Sequence, residues 1–340
     1  MFKNEIIILQ NLNHPNIAKF VDVKKSKNHY YIIMEYCNGG ELYEALEKYK
    51  EKYGRSFPEE IVQHFMRQII NAFEYIYKSK IIHRDIKLEN ILINYETEED
   101  KKDLNLMKAT AKIIDFGFSC TIGKDGLLYS TLGSPVYMDP IILKKHYARG
   151  RKRHLGYSQK ADIWSLGALC YEMLIGELVF DGDKLLELVE KVENGSYVIP
   201  TSVSREVVSF LNGMLQYESK KRLNSEQLAK HDFLTKDVKD FHKIDVQKVS
   251  GKIEGKDLKI NTKKNKTIWS IFNSEDEEKL NKIGATEEKE EVGSKDNDFS
   301  GPMLPNSKEI PGNPTDVTIH DSTEQKLAEN GFINKIDIFD

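Results

Sequence analysis

The sequence predicts an α+β fold in which a short strand-bearing start leads into a longer, mainly helical body. Three observations carry this. Two runs rich in branched and aromatic residues, IAKFVDV and HYYIIMEY, lie within the first 36 residues and read as strands. From GGELYEALEKY onward, apolar residues recur at helical spacing. After AKHDFL, which ends at residue 234, the composition turns polar.

The elements follow in order. Residues 5–12 have the apolar content of a short helix, stopped by NHPN because Pro15 restricts His14. The two strands come next, separated by the polar KKSKN. In EEIVQHFMRQIINAFEYIY, residues Ile61, Phe65, Ile69, Phe73 and Ile76 line one helical face. The short runs ILI and AKIIDF read as strands flanking NYETEEDKKDLNL, a charged segment expected to be a solvated loop. Residues 163–176, IWSLGALCYEMLIG, form the most apolar stretch, but Glu172 interrupts it and it is too short for a bilayer. A buried helix of a globular domain is the expectation. Residues 237–340 carry too few apolar side chains to offset chain entropy and read as a largely disordered tail. One aromatic island at 266–273, KTIWSIFN, gathers Ile268, Trp269, Ile271 and Phe272 as a candidate docking strip for the folded domain or a partner.

Bulk properties narrow the function. The 340 residues carry a formal charge of -4, which gives no basic footprint for nucleic acid. Cys37, Cys120 and Cys170 lie far apart without CxxC spacing and read as reduced, buried thiols. The start, MFKNEIIILQNLNHP, has only a four-residue apolar run, too short for a secretory core. A cytoplasmic protein without a membrane span is the expectation.

The chemistry is concentrated in IIHRDIKLENIL, residues 81–92. On a tight loop between helix and strand, Asp85 and Asn90 can face one cavity with Lys87 between them. A carboxylate, a cation and an amide oxygen suit a phosphate donor with Mg²⁺, a hard cation that takes oxygen ligands and keeps waters. DFG at 115–117 adds the carboxylate of Asp115, next to Gly117, whose free φ is expected to let the chain turn sharply. In order along the chain, HRDIKLEN, DFG, GSPVYM and DIWSLG resemble the protein kinases. The resemblance covers residues 1 to about 236 and implies a two-lobed fold: a partial N-terminal lobe at 1–37 and a C-terminal lobe at 38–236.

The resemblance implies residue roles. Asp85 would accept or orient the substrate hydroxyl proton, and Lys87 would neutralise the transferring phosphoryl group. A lysine at this position is similar to Ser/Thr rather than Tyr kinases. Asn90 and Asp115 would hold Mg²⁺ on the ATP phosphates. His83 and Phe116 look like stacked core members, and Asp162 like the buried anchor of the catalytic-loop backbone. The segment IIMEYCNGGEL is similar to the stretch joining the lobes, with Met34 behind the adenine, the backbone of Glu35 and Cys37 on its edge, Glu41 near the ribose, and Leu42 and Leu92 beneath the base. Arg84 implies control by phosphorylation at Ser130 or Thr131. Glu41, Glu89 and Glu172 match positions that favour basic residues upstream of a target site. The motifs are most similar to those of autophagy-initiating kinases, with the calmodulin-dependent group as the alternative.

Two departures stand out. Glu5 matches the helix glutamate that pairs with a strand lysine, yet only four residues precede it and no GxGxxG occurs. The expectation is an N-terminally truncated kinase whose two remaining strands fray or need a partner. The alternative is a catalytically impaired, kinase-like binding or scaffold module. In YMDPII, Asp139, Pro140 and Ile141 stand where the family has Ala-Pro-Glu. Arg222 therefore needs another partner, and Asp139 is the candidate.

Overall fold

The computed structural model describes residues 2–26, 29–122, 127–130, 132–147, 156–244, 253–254, 257–261 and 333–337. The chain runs α1 (Phe2–Asn11), β1 (Phe20–Lys25), β2 (His29–Met34), α2 (Leu42–Tyr53), α3 (Glu59–Lys78), β3 (Ile81–Ile82), β4 (Ile91–Asn94), α4 (Glu98–Asp103), β5 (Thr110–Ile113) and β6 (Cys120–Thr121). It continues with α5 (Pro140–Tyr147), α6 (Lys160–Ile175), α7 (Leu185–Asn194), β7 (Ser196–Pro200), α8 (Arg205–Met214), α9 (Ser225–Ala229) and α10 (Asp232–Thr235). Three further strands follow: β8 (Ile253–Glu254), β9 (Asp257–Asn261) and β10 (Ile333–Asp337). Among the described residues, no helix is long and apolar enough to cross a membrane.

Two compact units form. The first comprises Met1–Ile17 and Cys37–Ser274, the second Ala18–Tyr36 and Glu275–Asp340. This boundary differs from the expected division at residue 37, because α1 belongs with the helical unit rather than with the strands. The physical reason is local: Ile8 and Leu9 of this helix are buried, as is Leu12 just after it, so the helix contributes to a core.

In the first unit, α3 carries the face read from the sequence. Ile61, Phe65, Ile69, Phe73 and Ile76 are all buried. The helix α6 is buried almost all round, from Ala161 through Leu174 with Ser165 the exception, as an apolar stretch too short for a membrane should be. Short antiparallel pairs, β3 with β6 and β4 with β5, hold the loops between them. The segment 94–106 is not simply a loop. Residues 98–103 form a solvated helix started by Thr97, whose hydroxyl accepts from the Asp100 amide at 3.1 Å, with acidic residues in the first turn and lysines in the last.

The segment read as a polar tail contains ordered elements. Ile244 is buried, and β9 pairs antiparallel with both β7 and β8. In the second unit, β2 lies between β1 and β10, antiparallel to each. The expected frayed pair of strands is thus a three-stranded sheet closed by the chain's own C-terminal segment. The island at 266–273, with Ile268, Trp269, Ile271 and Phe272, lies outside the described residues, as does Thr131.

Candidate active site

The loop 83–90 is fixed from below by one buried carboxylate. Asp162, near the start of α6, accepts the His83 amide at 2.8 Å and the Arg84 amide at 2.9 Å. Burial raises the pKa of this carboxyl. These two bonds turn the backbone so that Arg84 sits at φ +72°, a left-handed conformation uncommon for a side-chain-bearing residue. The His83 ring donates through Nε2 to the Ile114 carbonyl at 3.1 Å and meets the Phe116 ring edge-on at 4.9 Å. Phe116 and His83 are fully buried, consistent with a core role.

Above this base, three residues converge on the Asp85 carboxylate. Its Oδ1 accepts the Ser134 amide at 3.0 Å and the Ser134 hydroxyl at 2.8 Å. Its Oδ2 accepts Asn90 Nδ2 at 3.0 Å and lies 3.6 Å from Lys87 Nζ. Asn90 Nδ2 also donates to the Asp85 carbonyl at 2.8 Å. With its nitrogen so committed, Asn90 presents its carbonyl oxygen as the atom able to ligate a hard cation. Asn90 is tied to the neighbouring loop as well, since its backbone carbonyl accepts the Ile114 amide at 3.0 Å. Asp115 follows directly.

At this second loop the turn is made differently from expectation. Asp115, not Gly117, takes the left-handed conformation, at φ +58°. Gly117 instead donates its amide to Asp115 Oδ1 at 3.0 Å. A Cβ on Gly117 would stand 3.0 Å from that oxygen and 3.6 Å from Glu5 Oε2, so the missing side chain leaves room for two carboxylates. Glu5, on α1, is pushed up to about 7, by burial first and the Asp115 charge second. The charged neighbour it meets there is an acid.

Among the described residues no group of three or more His, Cys, Asp or Glu is set for a metal. Mg²⁺ held with substrate phosphates takes only one or two carboxylates, and Asp115 with the side-chain oxygen of Asn90 offers donors of that kind.

The nucleotide-contact candidates divide between the units. Cys37, Glu41 and Leu92 are joined in the first: Glu41 and Leu92 form an antiparallel bridge, flanked by Gly39 N to the Ile93 carbonyl at 2.8 Å and Ile93 N to the Gly40 carbonyl at 2.9 Å. Glu41 is raised by burial, then by Glu44 and Glu89. Leu42 is fully buried and Cys37 nearly so. Met34 and Glu35 belong to the second unit, where Met34 pairs with Phe20 and the Glu35 carboxylate accepts the Lys19 amide at 3.1 Å.

Ser134 was not singled out from sequence, although it lies within GSPVYM. Its placement depends on Gly133, at φ +116°, where a Cβ would fall 2.4 Å from the Arg84 carbonyl. Only glycine permits that approach. The Arg84 guanidinium donates to the exposed Ser130 hydroxyl. The Ser130 carbonyl accepts the Tyr157 hydroxyl at 2.7 Å.

Glu172 is buried and accepts the Tyr137 hydroxyl. Burial holds its carboxyl up to about 7, with the Glu89 charge adding to the rise. In the unfolded chain it ionises near 4.5. Between those values the folded form binds more protons, so its contribution is fully present below about 4.5 and is lost as pH rises through 7. Urea unfolding at pH 5 and pH 7.5 should therefore show a smaller loss of stability in Glu172→Gln than in the parent chain. Equal losses would refute the assignment.

A buried aspartate on a short loop, braced by a lysine, an asparagine and a serine next to a DFG turn, defines a phosphotransferase-like site. The chain belongs to the protein kinase family, whose Protein kinase domain matches residues 1–234. It is also 32% identical over 241 residues to a "probable serine/threonine-protein kinase" of Dictyostelium discoideum. That match takes in 71% of this chain and 26% of the relative, so the chain spans about a quarter of the relative's length.

Proposed function

We propose that the chain is a serine/threonine protein kinase, transferring the terminal phosphoryl group of ATP to hydroxyls of protein substrates. The carrying observation is the environment of Asp85, whose carboxylate is held by Ser134 and Asn90 with Lys87 3.6 Å away. That arrangement holds the carboxylate in one orientation, as a proton acceptor for an incoming hydroxyl. Lys87 offsets charge on the phosphoryl group in transit, and Ser134 keeps Asp85 from rotating. Asn90 and Asp115 would hold Mg²⁺, which supplies charge neutralisation on the phosphates when bound. The contact between Arg84 and Ser130 supports regulation by phosphorylation, because a phosphate there would accept two guanidinium bonds in place of one neutral contact. The Glu89 charge acts on both Glu41 and Glu172, which supports a preference for basic residues near the acceptor. Among kinases, the motifs EYCNGGEL, HRDIKLENIL and GSPVYM support a place near the autophagy-initiating group, with the calmodulin-dependent group as alternative.

A second reading is a non-enzymatic kinase-like module. The observation favouring it is that Glu5 meets the Asp115 carboxylate, where an active kinase has a lysine on that glutamate. Thermal unfolding with Mg-ATP separates the two. At 100 times its dissociation constant a ligand adds about 2.7 kcal/mol of stability. A rise in midpoint with Mg-ATP, absent with Mg²⁺ alone, is the expected result. No rise at millimolar Mg-ATP would favour the module.

A further inference from the structure

We propose that the edge of β2 opposite β1 is a strand-accepting site whose occupation by this chain's own segment Ile333–Asp337 keeps the 18–36 sheet ordered, so that the sheet loosens when that segment leaves. The proposal is independent of the kinase reading. In β2, Tyr31 and Ile32 are each 2% exposed. Successive strand residues point to opposite faces, so β2 is covered on both and has the burial of a central strand. The partner strand β1 does not, for Val21 is 59% exposed. A central strand needs hydrogen-bonding neighbours on both edges, since its amides and carbonyls are otherwise left unpaired. The β1 ladder serves one edge, and an isolated two-stranded hairpin is marginal in water.

The register on the other edge is continuous over five residues: Ile333 opposite Ile33, Asn334 opposite Ile32, Lys335 opposite Tyr31, Ile336 opposite Tyr30 and Asp337 opposite His29. Main-chain bonds supply affinity in strand addition, and alternate side-chain positions supply selectivity. The segment GFINKIDIFD, residues 331–340, suits such a role, with Phe332, Ile333, Ile336, Ile338 and Phe339 concentrated at the end of an otherwise polar tail. The tail adds a strand to the first unit in the same manner, through β9 on β7.

Residue-level hydrogen exchange on the full chain tests the proposal. In an antiparallel ladder alternate residues bond their amides to the partner, so a double variant, Asn334→Pro with Lys335→Pro, must remove at least one ladder donor. Amides of residues 29–34 should exchange at least about tenfold faster in the variant, while those of α3 and α6 keep their rates. An excess of a synthetic peptide of residues 331–340 should restore protection in the variant and itself gain protected amides. Unchanged exchange of β2 in the variant would overturn the proposal. Protection of β2 that grows with protein concentration would overturn the intramolecular assignment in favour of a second copy's tail. Should the variant also lose α3 and α6 protection, a chain ending at residue 330 replaces it, and β2 amides that exchange there at the parent rate overturn the proposal equally.

Discussion

Asp85→Asn should lower phosphoryl transfer to a protein substrate by about 10²- to 10⁴-fold, the range expected when a positioned proton acceptor is removed. The substitution keeps volume and shape but removes the charge that faces Lys87 Nζ at 3.6 Å. It also converts one oxygen into a donor. Three of the groups around the side chain are themselves donors, namely the Ser134 amide, the Ser134 hydroxyl and Asn90 Nδ2. A new amide group would meet one of them donor to donor, so the loop is disturbed as well as discharged. The fold should survive, because Asp162 holds the backbone of His83 and Arg84 independently of Asp85. Turnover and the Mg-ATP thermal shift should therefore separate, with transfer lost and the shift retained. Transfer that persists within about threefold of the parent would remove Asp85 from the chemistry and the kinase reading with it.

How much of this could be read beforehand depended on how far apart the cooperating residues lie. Asp85, Lys87 and Asn90 occupy one loop, so their spacing alone predicted that they would meet, and they do. The face of α3 was equally legible, since a period of 3.6 needs only local information. Ser134 was harder. It lies 49 residues from Asp85 in sequence, and a serine before a proline is common in ordinary loops. The clue available was Gly133 beside it, whose value appears only once the Arg84 carbonyl is in place. The helix α4 was missed for a different reason: its charge pattern suggested a loop, although Thr97 followed three residues later by Asp100 is a capping signal. The strand β10 was the least accessible. Its partner is about three hundred residues away, and strand propensity is decided by the neighbour a segment finds rather than by the segment itself. Division into units failed similarly at α1, where Ile8 and Leu9 had to be buried somewhere that the sequence does not name.

The second large effect concerns stability. Asp139→Ala should destabilise the first unit by about 3–5 kcal/mol, the cost of stranding a buried charge. Arg222 and Asp139 are 1% and 2% exposed and form a direct ion pair. The pair answers the departure in YMDPII, for Asp139 reaches the arginine that Ile141 cannot. The remaining guanidinium bonds go to carbonyls: Nε to Gln216 at 2.7 Å, and terminal nitrogens to Lys160 at 2.7 Å and Tyr217 at 3.4 Å, with the cation 5.1 Å from the Trp164 ring. Removing Asp139 therefore leaves Arg222 fixed in place but uncompensated. Asp139 has a second duty, because its other oxygen accepts the Ile141 amide at 2.6 Å and caps α5. The two duties can be separated. Asp139→Asn keeps an acceptor for the cap and loses only the charge, so it should fall between the parent and Asp139→Ala. Arg222→Met combined with Asp139→Leu removes both charges, and a well-filled apolar pair at such a site is often neutral or stabilising; the residual deficit should then approach the value of a lost helix cap, about 0.5–2 kcal/mol. Urea midpoints of the four proteins measure this directly. If Asp139→Ala cost no more than the cap alone, the buried charge would have to be neutralised by some other group, and the ion pair would lose its structural role.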